Sequence, residues 1–170
     1  MRLKNIIMAR VKIDYGIDLG TTNSAIARIE NGEVKIIKSD IQKDTTPSCV
    51  YFRKNTTLVG DTAYARYGEE HKEASKEFSL EGKDQHEFNT FIEFKRTMGT
   101  DKTYESKSAG HSFNSEELSA EVLKALKNYV RDEEFSSVVI TVPARFRNNQ
   151  IDATQKAAEL SGFKYCELLM

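Results

Sequence analysis

Tyr15-Gly16-Ile17-Asp18-Leu19-Gly20-Thr21-Thr22-Asn23-Ser24 is the stretch whose reading decides the fold. Val11, Ile13, Tyr15, Ile17 and Leu19 alternate into it with period two, the pattern of a half-buried strand. Ser24-Ala25-Ile26-Ala27-Arg28-Ile29 leads away as a second strand. Between them stand an acid, a glycine and two hydroxyls. Gly20 lacks a Cβ, so the backbone there can bend sharply and come close to a ligand. Backbone N–H groups and the Thr21 and Thr22 hydroxyls then point into the turn and make an anion nest. Asp18 would repel a phosphate held there unless a cation stood between them, so the arrangement implies Mg²⁺, bound directly or through water. The turn joins two strands, and neither G-x-x-x-x-G-K-[ST] nor G-x-G-x-x-G occurs in the chain, which excludes a P-loop. The plain alternative is an ordinary hairpin with Gly and Thr in its turn.

At 170 residues the chain has room for one domain, or one domain with a small lobe. Charged residues at 30% and apolar ones at 39% describe a globular chain, and no window is long and apolar enough to span a membrane. A net charge of −1 gives no field that would favour nucleic acid or an anionic membrane. His71, His86 and His111 share no ligand-like spacing, so no metal site is built on them. Cys49 and Cys166 lie far apart in apolar runs and read as reduced thiols, which points to the cytosol. Ile6-Ile7-Met8 is too short for a signal core; residues 1–8 read as an N-terminal extension, and Met8 is an alternative start that would leave residues 1–7 as an appendage.

Asn31-Gly32 tolerates positive φ at both positions and predicts a hairpin into a third strand, Val34-Lys35-Ile36-Ile37. The opening is then a three-strand meander that holds the turn rigid. Pro47, unable to donate to a ladder, marks the start of the strand Cys49–Phe52, with Thr57–Gly60 as its hairpin mate. Asp61 can cap a helix that carries Ala63, Tyr64 and Tyr67 inward, and residues 69–88 read as its frayed end plus a solvated loop. Residues 89–99 read as a short helix with Phe91, Phe94 or Lys95, and Met98 on one stripe and Gly99 as its stop. Tyr104–Ser106 and His111–Phe113 are short edge strands. Asn114 and Glu117 form a capping box for a helix whose stripe is Leu118, Val122, Leu126 and Tyr129, through Arg131. Ser137–Val142 is a continuous apolar run, as in a strand buried on both faces. Pro143 ends it. A helix from Asn148 or Asn149 follows, with Ile151, Thr154 and Ala158 inward, and is closed by Gly162. The strand Phe163–Leu169 completes a parallel βαβ unit.

Gly16-Ile17-Asp18-Leu19-Gly20-Thr21-Thr22-Asn23-Ser24 resembles the first phosphate motif of the seventy-kilodalton heat-shock protein family, the DnaK-type chaperones. Thr45-Thr46-Pro47-Ser48, Leu58-Val59-Gly60, Phe94-Lys95-Arg96-Thr97-Met98-Gly99 and Val139-Ile140-Thr141-Val142-Pro143-Ala144 resemble the family too, in the same order, from about Tyr15 to the last residue. The resemblance implies an α/β, ribonuclease H-like, actin-type ATPase fold. Residues 9–53 and 114–170 would form a sheet-bearing core, and 54–113 an inserted smaller lobe. It implies ATP or ADP with Mg²⁺, and K⁺ as a further cation, in a cytoplasmic chaperone whose hydrolysis cycle governs unfolded client polypeptides with a J-domain cochaperone and a nucleotide exchange factor. It implies neither nucleic acid nor membrane as a partner.

By the same resemblance, Asp18 lies in the magnesium's water shell, Gly20, Thr21, Thr22 and Asn23 hold phosphate, and Lys95 positions the attacking water. As a residue alone, Lys95 also reads as a solvent-facing charge, as most lysines do. Pro143 matches a switch proline, and is equally a strand terminator. Arg145 stands where the family has an aromatic residue, and Ile151 where it has a coupling arginine. Leu168-Leu169-Met170 lies where the family continues to a Glu-Pro pair, so the chain reads as a fragment: weak for ATP by itself, turning nothing over. A sugar or small-molecule kinase, an actin-like filament subunit and a stand-alone binding module are the competing readings.

Overall fold

The computed structural model describes residues 13–81 and 87–170; Val11, His86 and the extension 1–8 lie outside them. In chain order the strands are β1 (Tyr15–Asp18), β2 (Asn23–Glu30), β3 (Glu33–Ile37), β4 (Thr46–Pro47), β5 (Cys49–Arg53) and β6 (Thr56–Val59). Helix α1 (Asp61–Glu81) follows, then β7 (Thr90–Ile92), a 3₁₀ turn (Phe94–Thr97), β8 (Thr103–Ser106) and β9 (His111–Asn114). The remainder is α2 (Ser115–Asn128), β10 (Ser137–Thr141), α3 (Asn148–Leu160) and β11 (Tyr165–Leu169).

The main sheet runs β11-β10-β1-β2-β3, with β4 pairing to β2. β1, β2 and β3 are the antiparallel meander read from the sequence, turned at Asn31 and Gly32 with φ of 53° and 83°. β10 is parallel to both β1 and β11, which makes β10-α3-β11 the expected βαβ unit. Its register puts Tyr15, Ile17, Ile26, Val138, Ile140, Cys166 and Leu168 on one face, where α2 and α3 cover them. The other face carries Gly16, Ala27, Ile29, Val34, Ile36, Val139 and Leu169, and no described helix covers it. Ile29 is 53% exposed and Val34 72%. β10 is therefore buried on one face only, contrary to its unbroken apolar run. Apolarity records that a side chain suits burial, not what lies above it.

β5 pairs with β6 and β7 in a three-stranded sheet, and β8 with β9 in a hairpin. These pack onto the main sheet through one continuous core that includes Phe52, Phe91, Phe94, Met98, Phe113, Leu118 and Leu123. Phe52 and Phe113 stack at 3.9 Å between centroids. Asn114 and Glu117 form the predicted capping box, though α2 ends at Asn128, short of Arg131.

Four local readings change. Residues 89–99 are a strand and a 3₁₀ turn, not one helix. Thr90, Phe91 and Ile92 favour a ladder with β5, and Glu93 at φ 55° breaks the chain before Phe94. The burial of Phe91, Phe94 and Met98 holds nonetheless, because that spacing suits both geometries. α1 continues to Glu81, well into the stretch read as loop; the Glu70 carboxylate accepts the Asn89 and Thr90 N–H groups and ties the helix to β7. On α1, Ala63 is buried as expected, but Tyr64 faces solvent and packs on Tyr67. Asp61 pairs with Lys43 (2.6 Å), and its carboxylate accepts no helix N–H among the described residues.

Candidate functional site

Asp18 and Thr141 are register partners at the ends of β1 and β10. Both strands run parallel, so these side chains share the carboxyl edge of the sheet, where open α/β sheets bind their ligands. The Thr141 hydroxyl donates to Asp18 Oδ1 at 2.8 Å and orients the carboxylate, which is exposed and has its second oxygen unengaged among the described residues.

The chain bends immediately after Asp18. A Cβ on Gly20 would lie 1.9 Å from the Asn23 carbonyl oxygen, so only glycine allows this turn. The collision is with the turn's own backbone, so glycine is required by the bend before any ligand approaches. Thr21 is half-buried, and Thr22 and Asn23 are exposed. The backbone N–H groups and hydroxyls of Thr21 and Thr22 donate to no acceptor among the described residues. Behind the turn, Ser24 and Ser48 are buried and bonded to Gly20 and to each other. The Ser48 N–H donates to the Thr22 carbonyl at 2.8 Å.

Lys95 is neither a solvent-facing charge nor a side chain extended into the groove. It is 7% exposed, its ammonium donates to the Leu19 carbonyl, and it lies 5.3 Å from the centroid of the Phe146 ring. Burial pushes its ammonium below the ordinary lysine range, and the nearby Asp18 charge offsets part of that shift. The unfolded chain thus holds this proton more tightly than the folded one. Between the two values the unfolded state carries the extra proton, so stability climbs as pH rises toward 10.5; below both values the cost is constant. Lys95→Met is accordingly expected to lose that alkaline rise, as read by urea unfolding at several pH values. A variant whose stability climbs with pH as steeply as the parent's would contradict this.

Pro143 lies exposed just beyond β10, and its carbonyl accepts the Phe146 N–H at 2.9 Å. The bend places Phe146 against Lys95. Asn149 Nδ2 donates to the Gly99 carbonyl at 2.9 Å, so the segment after Pro143 also touches the loop after Lys95. Asp18, the Gly20–Asn23 turn and Lys95 thus converge at one end of β1, with Pro143 beside them. Sequence reasoning missed Thr141, Phe146, Ser24 and Ser48 as parts of this site. Thr141 was within reach, since a hydroxyl ending a strand parallel to β1 falls beside Asp18. Both thiols are free: burial pushes Cys49 up to about 12 and Cys166 up to about 11, outside the range of reactive cysteines. No cluster of His, Cys, Asp or Glu among the described residues could hold a metal unaided.

A family model described as Hsp70 protein matches residues 14–169. The chain is 38% identical over 156 residues to a chaperone protein DnaK of Mesomycoplasma hyopneumoniae strain J, covering 90% of this chain and 23% of that protein. It is 38% identical over the same length to the DnaK of strain 232, again covering 90% of this chain and 23% of that protein. To the DnaK of Mycoplasmopsis synoviae strain 53 it is 34% identical over 163 residues, covering 93% and 24%. The chain spans about a quarter of the length of these curated relatives.

Proposed function

From the premise that this chain belongs to the Hsp70 family, we propose that its β1–β2 turn is the first phosphate grip of a chaperone ATPase. Membership implies the actin-like ATPase fold, and the mixed α/β architecture agrees with it. The observation that carries the proposal is the pairing of unengaged N–H and hydroxyl donors at Thr21 and Thr22 with an exposed carboxylate, Asp18, one turn away. That donor set suits a phosphate with a cation between it and the acid. In this reading Gly20 forms the bend, Thr21, Thr22 and Asn23 hold phosphate oxygens, and Asp18 orients water around Mg²⁺. Lys95 leaves the Leu19 carbonyl to set the attacking water, where a compact point charge is suited to developing negative charge. When bound, Mg²⁺·ATP supplies the electrophilic phosphorus and a leaving diphosphate; the protein contributes position and charge, which is most of what phosphoryl transfer requires.

Residues 54–113 would be an inserted smaller lobe on a core of 9–53 and 114–170, sharing its apolar interior. In the longer protein, client polypeptides, a J-domain cochaperone and a nucleotide exchange factor would act in the cytoplasm on the cycle this site drives. Pro143 would relay nucleotide state, without the usual aromatic at Arg145 or arginine at Ile151. The contact between Phe146 and Lys95 offers that relay a physical route.

The test uses the chain itself. Millimolar Mg²⁺·ATP is expected to shift the amide resonances of Gly20, Thr21, Thr22 and Asn23, with no phosphate release. Shifts confined to another surface would overturn the assignment, and micromolar affinity would overturn the expectation that this chain binds weakly.

A further inference from the structure

Ser24 and Ser48 are both buried, at 1% and 2% exposure, and lie directly behind the turn. Ser24 opens the body of β2, and Ser48 follows β4, which is held against β2 by the pairings Asn23 to Pro47 and Ser24 to Thr46. Three contacts close on one another. The Gly20 N–H donates to Ser24 Oγ at 3.1 Å, the two hydroxyl oxygens are 2.9 Å apart, and Ser48 Oγ donates to the Gly20 carbonyl at 2.8 Å.

A hydroxyl has a single hydrogen. Ser48 spends its own on the Gly20 carbonyl, so the hydrogen between the serines belongs to Ser24. The ring therefore runs one way: Gly20 N–H to Ser24, Ser24 O–H to Ser48, Ser48 O–H back to the Gly20 carbonyl. Each member donates once and accepts once, and both backbone groups of Gly20 are drawn inward. A second Ser48 bond, from its N–H to the Thr22 carbonyl, fixes the far side of the turn. A trans peptide sets its N–H opposite its C=O, so the Gly20 carbonyl held at the rear turns the Thr21 N–H outward, and the Thr22 N–H donates to no acceptor among the described residues.

We propose that Ser24 and Ser48 are positioning residues of the phosphate turn: a one-way hydrogen-bond ring that keeps carbonyl oxygens out of the anion's path and amide hydrogens in it. This rests on the reading of the turn as a phosphate grip, and it adds residues that touch no ligand. Serine suits both positions because it supplies the hydroxyl with least bulk in a closed site. Removing either member opens the whole ring and leaves a buried carbonyl or hydroxyl unsatisfied.

The experiment titrates Mg²⁺·ATP, and separately inorganic pyrophosphate, into the wild type, Ser24→Ala, Ser48→Ala, the double variant and Asn114→Ala, following the Thr21 and Thr22 amides. Asn114→Ala removes the α2 cap remote from the turn and serves as the stability control. Each serine variant is expected to weaken both ligands about tenfold, with the double variant no worse than either single one, because one opening already breaks the ring. Asn114→Ala should bind as the wild type does. Amide exchange without ligand supplies a second readout: the Gly20 N–H should exchange at least about tenfold faster in Ser24→Ala, beyond any change at amides of α2. Wild-type affinity surviving in Ser48→Ala, or equal weakening in Asn114→Ala, overturns the ring's role. No shift at Thr21 or Thr22 in the wild type overturns the phosphate reading and the ring's role with it.

Discussion

Gly99→Ala is expected to lower the unfolding free energy by about 2–5 kcal/mol. Two costs combine. Gly99 holds φ +70°, where an L-residue with a Cβ loses about 1–2 kcal/mol. The added carbon would also lie 2.5 Å from the Asn149 carbonyl oxygen and 2.7 Å from its carbon, both backbone atoms at the start of α3. Forcing them apart costs about 1–3 kcal/mol more and displaces the Asn149 bond to the Gly99 carbonyl. Gly32→Ala isolates the first cost, since Gly32 has φ +83° and open space around it. Urea unfolding followed by circular dichroism compares the two. A Gly99→Ala loss no greater than that of Gly32→Ala would show that α3 yields without resistance.

Asp18→Asn is expected to abolish the effect of Mg²⁺ on ATP binding at the turn. In the wild type the carboxylate repels phosphate when no divalent ion is present and recruits the ion when it is. Two unit charges several ångströms apart near a protein surface interact by about 1–2 kcal/mol, so the repulsion is worth roughly tenfold in affinity. Asparagine keeps the oxygen that accepts from Thr141 and removes the charge. Without Mg²⁺ the variant should therefore bind ATP about tenfold more tightly than the wild type. With Mg²⁺ it should bind more weakly, its affinity nearly independent of the ion. Thr21 and Thr22 amide shifts, with Mg²⁺ or with chelator, read both arms. An unchanged Mg²⁺ dependence would detach Asp18 from any cation.

Much of this was legible in the sequence because it was written in local chemistry. Asn31-Gly32, the Asn114–Glu117 box and the alternation through Tyr15 and Ile17 each specify a short geometry that the fold keeps. Residues 89–99 were not legible, because Phe91, Phe94 and Met98 bury equally well from a helix or from a strand and tight turn. Pairing with β5, some forty residues earlier, decided between them. The same limit applies to the site. Asp18, Gly20, Thr21 and Thr22 are contiguous and were read directly. Thr141 and Phe146 join them only through the β1–β10 pairing, and Ser48 only through β4. Lys95 was placed near the site by resemblance, but its burial against Leu19 and Phe146 follows from a 3₁₀ turn that apolar spacing does not encode.

The side of the main sheet away from α2 and α3 has an energetic consequence. Five strands about 4.8 Å apart, four of them four or five residues long and β2 eight, at about 3.3 Å per residue, form a plate on the order of 400 Å². Gly16 and Ala27 make its middle shallow, while Ile29, Val34, Ile36 and Leu169 stand up along the margins like the rim of a dish. At roughly 25 cal/mol for each square ångström of hydrocarbon withdrawn from water, a snug filling of that dish would release several kcal/mol. That sum is comparable to the whole net stability of many small domains.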